Sequence, residues 1–261
     1  MAKKNVKLSV AIAVFNEEKN LEECLASVAA FADEIIVVDG GSSDATVSIA
    51  RKFTSHIIET DNPAMFHINK QKALDACSGS WILQLDADER VTPALKNEIL
   101  EVISSGTSDI NGYFIPRRNY FWGHFMQKGG QYPDYVMRLM KRGKAHFPAK
   151  SVHEQIEVIG KPGYLTQPME HISYRTRQEY WKKADAYTTL AAYEMKKDGV
   201  RNNVWTWFIY NIIKPKITFI SLFIRHKGFM DGWYGLVFAY FSALHFPIAY
   251  KKYSALLSKN V

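Results

Sequence analysis

Leu83-Gln84-Leu85-Asp86-Ala87-Asp88-Glu89 decides the fold. The apolar run 81–85 reads as a buried strand, and two carboxylates spaced i, i+2 stand where that run ends. Acids at a strand end lie at a sheet edge, where water, metal and ligand can reach them. Two hard oxygen donors held close together suit Mg²⁺ or Mn²⁺, ions that keep several waters and take substrate phosphates as further ligands. A strand-end turn carrying solvated acids would look the same in isolation, so the preceding residues decide.

Upstream, strand and helix patterns alternate. Residues 8–15 form a near-continuous apolar run, as a parallel strand covered on both faces requires. Leu21, Cys24, Leu25, Val28 and Ala29 follow at helical spacing. A second buried strand, 35–38, ends at Asp39. The turn Gly40-Gly41-Ser42-Ser43-Asp44 comes next, with Ser42, Ser43 or Asp44 able to cap the helix marked by Thr46, Ile49, Ala50 and Phe53. Residues 56–59 give a short third strand and 66–77 a third helix; Thr92-Pro93 opens another after the acids. Short connections in this order predict a parallel sheet with right-handed crossovers. Its ligands bind beyond the carboxyl ends of the strands, where Asn16-Glu17, Asp39 and Asp86-Ala87-Asp88 all fall.

From about residue 112 the pattern becomes mixed, with strands expected at 112–120, 136–140 and 152–158. A helix over 177–198 would present Tyr180, Ala184, Tyr187, Ala191 and Met195 on one face. Residues 204–213 and 217–224 are apolar, interrupted by Lys214-Pro215-Lys216, and 233–250 is the longest apolar stretch, broken by Ser242, His245 and Pro247. The net charge of +7 is unevenly placed. Residues 1–200 balance 25 Lys/Arg against 25 Asp/Glu, whereas residues 201–261 carry 8 basic residues against Asp231 alone. Aromatic, apolar helices flanked by Lys/Arg fit a membrane interface with anionic lipid. The same helices could instead cover the catalytic part or form a dimer interface. The two cysteines, Cys24 and Cys77, sit in helical apolar patterns and read as buried thiols of a reducing compartment. No secretory h-region precedes the first strand, so a cytoplasmic location is expected.

The pieces 10–18, 34–44 and 85–89, in that order and spacing, make the sequence similar to family 2 glycosyltransferases of GT-A fold. The narrower stretches Arg117-Arg118-Asn119, 129–134 and Val152-His153-Glu154 resemble bacterial lipopolysaccharide-core β-glucosyltransferases. The resemblance implies an α/β fold, a GT-A (Rossmann-like) mixed sheet with helices on both faces. It assigns residues 1–175 to the catalytic domain (nucleotide-sugar half about 1–110, acceptor half about 111–175), and 176–261 to a C-terminal helical, amphipathic and aromatic region. Ala13, Phe15, Glu17 and Asp39 would line the nucleoside pocket, although many members carry a second aspartate where this chain has Gly40. Lys70 would lie near the diphosphate. Asp88 would hold Mg²⁺ or Mn²⁺, Asp86 would reach the ribose or the metal through water, and His171 would add a third metal or phosphate contact. Glu154, or else Asp134, would be the base of an inverting transfer. Arg117, Arg118 and Arg138 are candidates to clamp phosphates or an anionic acceptor.

The implied activity is metal-dependent transfer of a sugar, glucose in the nearest resemblance, from a UDP-sugar to a hydroxyl of a cell-envelope saccharide or lipid-linked acceptor such as lipopolysaccharide core. The enzyme would sit peripherally on the inner face of the cell membrane, bind no nucleic acid, and be compatible with a homo-oligomer. A polyprenyl-phosphate or protein acceptor is the alternative within the class. A nucleotidyltransferase usually shows a Gly-rich, basic loop after its first strand, which Phe15-Asn16-Glu17 does not supply. A haloacid-dehalogenase-type phosphatase carries its acids on the first strand, not the fourth.

Overall fold

The computed structural model describes residues 7–63, 65–105, 109–148 and 155–258. The chain forms two compact units, residues 1–117 with 135–171 and residues 118–134 with 172–261.

The first unit opens β1 (Leu8–Val14), α1 (Leu21–Ala29), β2 (Glu34–Asp39), α2 (Thr46–Ala50), β3 (Ile57–Glu59), α3 (His67–Ala76), β4 (Trp81–Leu85). β1 pairs in parallel with β2 and with β4, and β2 with β3. The apolar runs are continuous because both sheet faces are covered: Val10, Ile12, Val37, Leu83 and Leu85 pack in one core, Ala11, Ile36, Val38 and Ile82 in the other. Each fully buried branched side chain contributes about 1.5–3 kcal/mol, so these alternating faces fix the register. β5 (Glu89–Arg90) and α4 (Pro93–Ser105) follow. Thr92 Oγ1 accepts from Leu95 N at 3.2 Å, the expected cap. Ser42 is not a cap: its Oγ accepts from Asn16 N at 2.8 Å, while Asp44 Oδ1 accepts from Thr46 N at 3.0 Å.

The later strands are β6 (Ile110–Phe121), β7 (His124–Phe125), β8 (Asp134–Lys141), β9 (Ala145–His146), β10 (Glu157–Val158), β11 (Lys161–Tyr164) and β12 (Met169–Tyr174). The sheet runs β3-β2-β1-β4-β8-β6-β12-β5, with β8 antiparallel to β4. The mixed α/β sheet of the GT-A arrangement is thus present. Of the strand expected over 152–158, only Glu157–Val158 is a strand among the described residues.

The second unit is built on helices. α5 (Arg177–Lys197) starts at Thr176, whose side chain accepts from Glu179 N at 3.2 Å, and Glu179 reaches back to Arg175 N at 2.8 Å. Its buried stripe is Tyr180, Ala184, Thr188, Ala192 and Met195. Tyr187, expected on that face, is exposed, because the partner surface follows the i+4 row. α6 (Val204–Arg225) runs unbroken through Lys214-Pro215-Lys216. Proline in a helix removes an i→i−4 bond and crowds that carbonyl; a π-turn at Ile209–Ile213 widens the helix just before it. A 3₁₀ turn, Gly228–Asp231, leads into α7 (Gly232–Ser258). An aromatic cluster forms the core here. Phe121 stacks on Trp122 at 4.4 Å and meets Tyr180 edge-on at 5.8 Å, and Trp181 contacts Phe241 at 4.9 Å.

Candidate active site

The β1 and β2 ends form one polar rim. Asn16 takes a left-handed conformation (φ 54°), which asparagine tolerates, and its Oδ1 accepts from Ser43 N at 2.9 Å. Glu17 N donates to Thr46 Oγ1 at 2.8 Å, and its carboxylate accepts from Asn20 Nδ2 at 2.8 Å. Ala13 and exposed Phe15 lie along β1 and just beyond it, Ala13 paired in register with Val38.

Asp39 closes β2 and is buried. Its Oδ2 accepts from Gly41 N at 3.0 Å and Ser42 N at 2.9 Å, which orients the carboxylate. Gly41 permits this turn with φ 80°. Asp39 Oδ1 is buried with no hydrogen-bond partner among the described residues, and so is Asn69 Oδ1. A buried acceptor left unpaired costs about 1–3 kcal/mol, so an incoming N–H or O–H gains strongly there. Gly40 lies between these groups: a Cβ there would stand 3.3 Å from Asn62 Cβ and 3.4 Å from Asn69 Nδ2. A side chain at position 40 would press on both asparagines.

The acids after β4 are not equivalent. Asp86 Oδ2 accepts from Arg138 Nη2 at 2.6 Å, and Lys70 Nζ pairs with Oδ1. Burial alone would push this carboxyl up, but the Arg138 and Lys70 charges outweigh it and hold Asp86 well below the usual carboxylate range. Arg138 comes from β8, whose antiparallel register sets Leu139 opposite Leu83 and so carries residue 138 beside Gln84. It also donates to Gln84 Oε1 and to Glu89 Oε1, the latter at 2.8 Å. Glu89 is fully buried, touches Arg117 at 3.4 Å, and accepts from Asp86 N at 2.9 Å. Arg138 therefore braces this edge from inside, and Arg117 meets Glu89 beside it. Glu89 and Arg138 as a brace went unread in the sequence. A single arginine inside the apolar run 136–140 was the available signal, since a buried guanidinium demands a carboxylate.

Asp88 meets a histidine. Its Oδ2 lies 3.5 Å from His171 Nε2. The β5–β12 register sets His171 opposite Glu89, which brings the imidazole to Asp88. One carboxylate and one imidazole fit an ion that fills its remaining positions with water and phosphate oxygens. Among the described residues no cluster of three or more His, Cys, Asp or Glu forms a closed metal cage. Asp86, expected at the ribose or at the metal through water, pairs here with Arg138 and Lys70.

Of the two candidate bases, Glu154 lies outside the described residues. Asp134 belongs to the second unit, where it accepts from Asn119 Nδ2 at 3.1 Å. Arg118, also in the second unit, lies over the Phe125 ring at 5.6 Å.

A parallel sheet with this polar carboxyl edge is an α/β enzyme's binding edge. Residues 9–200 match the model of glycosyl transferase family 2, and the chain belongs to that family: it is a glycosyltransferase. It is 31% identical to "Lipopolysaccharide core biosynthesis glycosyltransferase LpsC" of Rhizobium meliloti, over 90% of each chain. It is 26% identical to an uncharacterized glycosyltransferase of Rickettsia felis, over 98% of this chain and 93% of that one. The crystal structure of S. aureus TarS 1-349 in complex with UDP-GlcNAc aligns with a TM-score of 0.49 at 17% identity, covering 91% of this chain and 79% of that one.

Proposed function

We propose that this glycosyltransferase moves glucose from UDP-glucose to a hydroxyl of a lipopolysaccharide-core acceptor, with inversion, at the inner face of the cell membrane. The observation that carries the acceptor class is the full-length similarity to the lipopolysaccharide-core enzyme of Rhizobium meliloti. Phe15 offers the base a ring face, while Asp39 Oδ1 accepts an N–H or O–H of the nucleoside. Lys70, one anion contact away from its present partner Asp86, meets the diphosphate. Asp88 and His171 would hold Mg²⁺ or Mn²⁺, which when bound offsets the charge developing on the departing diphosphate. Asp86, kept ionised by its two cations, holds the β4 end in place and accepts from the ribose. Glu154 takes the proton of the acceptor hydroxyl, with Asp134 the second candidate; a single base implies direct displacement. The helical region 176–261 supplies the membrane contact, and residues 1–175 the catalytic domain.

The test is turnover of a nucleotide-sugar panel by the full chain with a truncated core acceptor, alongside Asp88→Ala. We expect UDP-glucose to be preferred, product to be β-linked, and Asp88→Ala to lose about a hundred- to a thousandfold, the order seen when a principal electrostatic stabiliser is removed. Full turnover in chelator, or by Asp88→Ala, would overturn the metal assignment. Transfer only to a non-saccharide acceptor would overturn the acceptor class.

A further inference from the structure

α6 leaves one long apolar face uncovered. Trp205, Ile209, Ile213, Ile217, Ile220 and Ile224 recur at three- and four-residue spacing, and all six are exposed, Trp205 at 75% and Ile217 at 61%. No part of the helix's most apolar window is buried. The adjoining face is occupied: Tyr210 stacks on Tyr250 of α7 at 5.6 Å, and Lys214 Nζ lies 3.7 Å from the Tyr210 ring centroid. The free stripe runs on into exposed Phe229, Met230 and Trp233. At 1.5 Å per residue this 22-residue helix is about 33 Å long.

Charge selects the occupant. Lys216, Arg225 and Lys227 are exposed on or beside the stripe. The single acid of residues 201–261, Asp231, is buried and fully used, accepting from Gln127 N at 2.9 Å, Lys128 N at 2.8 Å and His124 at 3.2 Å. Among the described residues of this stretch, no carboxylate faces outward to repel an anion. We infer that α6 lies flat in the headgroup layer of an anionic bilayer, the Trp205–Ile224 stripe inserted and Lys216, Arg225 and Lys227 on the lipid phosphates. The helix passes the length and composition of a span, but a span would carry Lys214-Pro215-Lys216 to the bilayer centre, where lysine is costly. In the flat orientation Lys214 keeps its aromatic partner and Lys216 snorkels to the phosphates. This inference rests on the membrane-surface reading above and names the element and orientation that perform it.

Co-sedimentation of the full chain with phosphatidylcholine vesicles, with and without phosphatidylglycerol, tests it. We expect binding to the anionic vesicles only, weakened by salt and reversed by an alkaline wash. Ile213→Glu/Ile217→Glu and Lys216→Glu/Arg225→Glu should each weaken binding about tenfold or more, with the urea midpoint and UDP binding unchanged as the check on folding. If the wild type binds and both variants bind equally, the membrane reading stands and α6 is the wrong element; if the wild type does not bind, both fail. Resistance to the alkaline wash would replace the flat helix with a span. A wild-type dimer that Ile213→Glu/Ile217→Glu converts to monomer, with vesicle binding unchanged, would give the stripe to a second copy of this chain.

Discussion

Arg138→Met removes the guanidinium that three side chains of the β4 edge share. The native side chain is almost wholly enclosed and donates to Glu89 Oε1 at 2.8 Å and Asp86 Oδ2 at 2.6 Å, besides Gln84. Methionine fills much of the volume but leaves Glu89 buried, with only Arg117 at 3.4 Å and Asp86 N, among the described residues, to answer its charge. Breaking a buried pair costs about 3–5 kcal/mol, and the Arg117 contact places this case near the lower end. At about 2–4 °C per kcal/mol for a chain of this size, the melting temperature should fall by about 6–12 °C. Calorimetry and far-ultraviolet circular dichroism read the loss. Glu89→Gln removes the stranded charge, so Arg138→Met/Glu89→Gln should be more stable than Arg138→Met alone by about 1 kcal/mol or more. The acid limb gives a second signature. Asp86 is held below its ordinary value of 3.8, so the unfolded chain takes up that proton first as pH falls. Its contribution is therefore complete above about pH 4 and lost as pH drops further toward the folded value. The gap between wild type and Arg138→Met should accordingly narrow below about pH 4. A variant within about 1 kcal/mol of wild type, or strictly additive single changes, would refute the brace.

Further outcomes are equally direct. Asp39→Asn can keep one oxygen on Gly41 N and Ser42 N while turning the unpaired acceptor into a donor, so UDP affinity by titration calorimetry should fall about ten- to a hundredfold with the fold intact. A Cβ on Gly235 would stand 1.8 Å from the Gly228 carbonyl oxygen, so Gly235→Ala should cost about 1–3 kcal/mol in urea unfolding. Burial pushes the Cys77 thiol up to about 12. The unfolded thiol loses its proton near pH 8.5, so this group's stabilisation holds below about that pH and declines as pH rises toward the folded value. Alkylation of native Cys77 should likewise be slow at pH 8 and fast in denaturant, followed by peptide mass spectrometry.

The nucleotide half was legible because parallel strands buried on both faces show as unbroken apolar runs, and their ends show as Asn16-Glu17, Asp39 and Asp86. The resemblance singled out Asp88 and His171 separately; the β5–β12 register is what brings the two side chains together. What stayed hidden depends on cross-strand partners far apart in sequence. Nothing local to Asp86 says that Arg138, 52 residues on, will meet it. The Ser42 hydroxyl read equally well as a helix cap, and only the approach of Asn16 decides against it. Pro215 marks a break in any local reading, yet one π-turn absorbs it. The face of α5 was misjudged by one residue at Tyr187 and again at Ala191, where Thr188 and Ala192 are buried instead, since a 3.6-residue period with apolar residues on two adjacent rows admits both stripes.

The aromatic cluster beneath α5 and α7 has a practical consequence. Of the six tryptophans, Trp122, Trp181, Trp205, Trp207 and Trp233 belong to the second unit and Trp81 alone to the first. Intrinsic fluorescence of this enzyme is therefore almost entirely a report on its helical unit, and a fluorescence melt would pass over damage at the β4 edge. Replacing the five by phenylalanine would leave Trp81, at the start of the strand that ends in the paired acids, as a single spectroscopic probe of the sugar-nucleotide half.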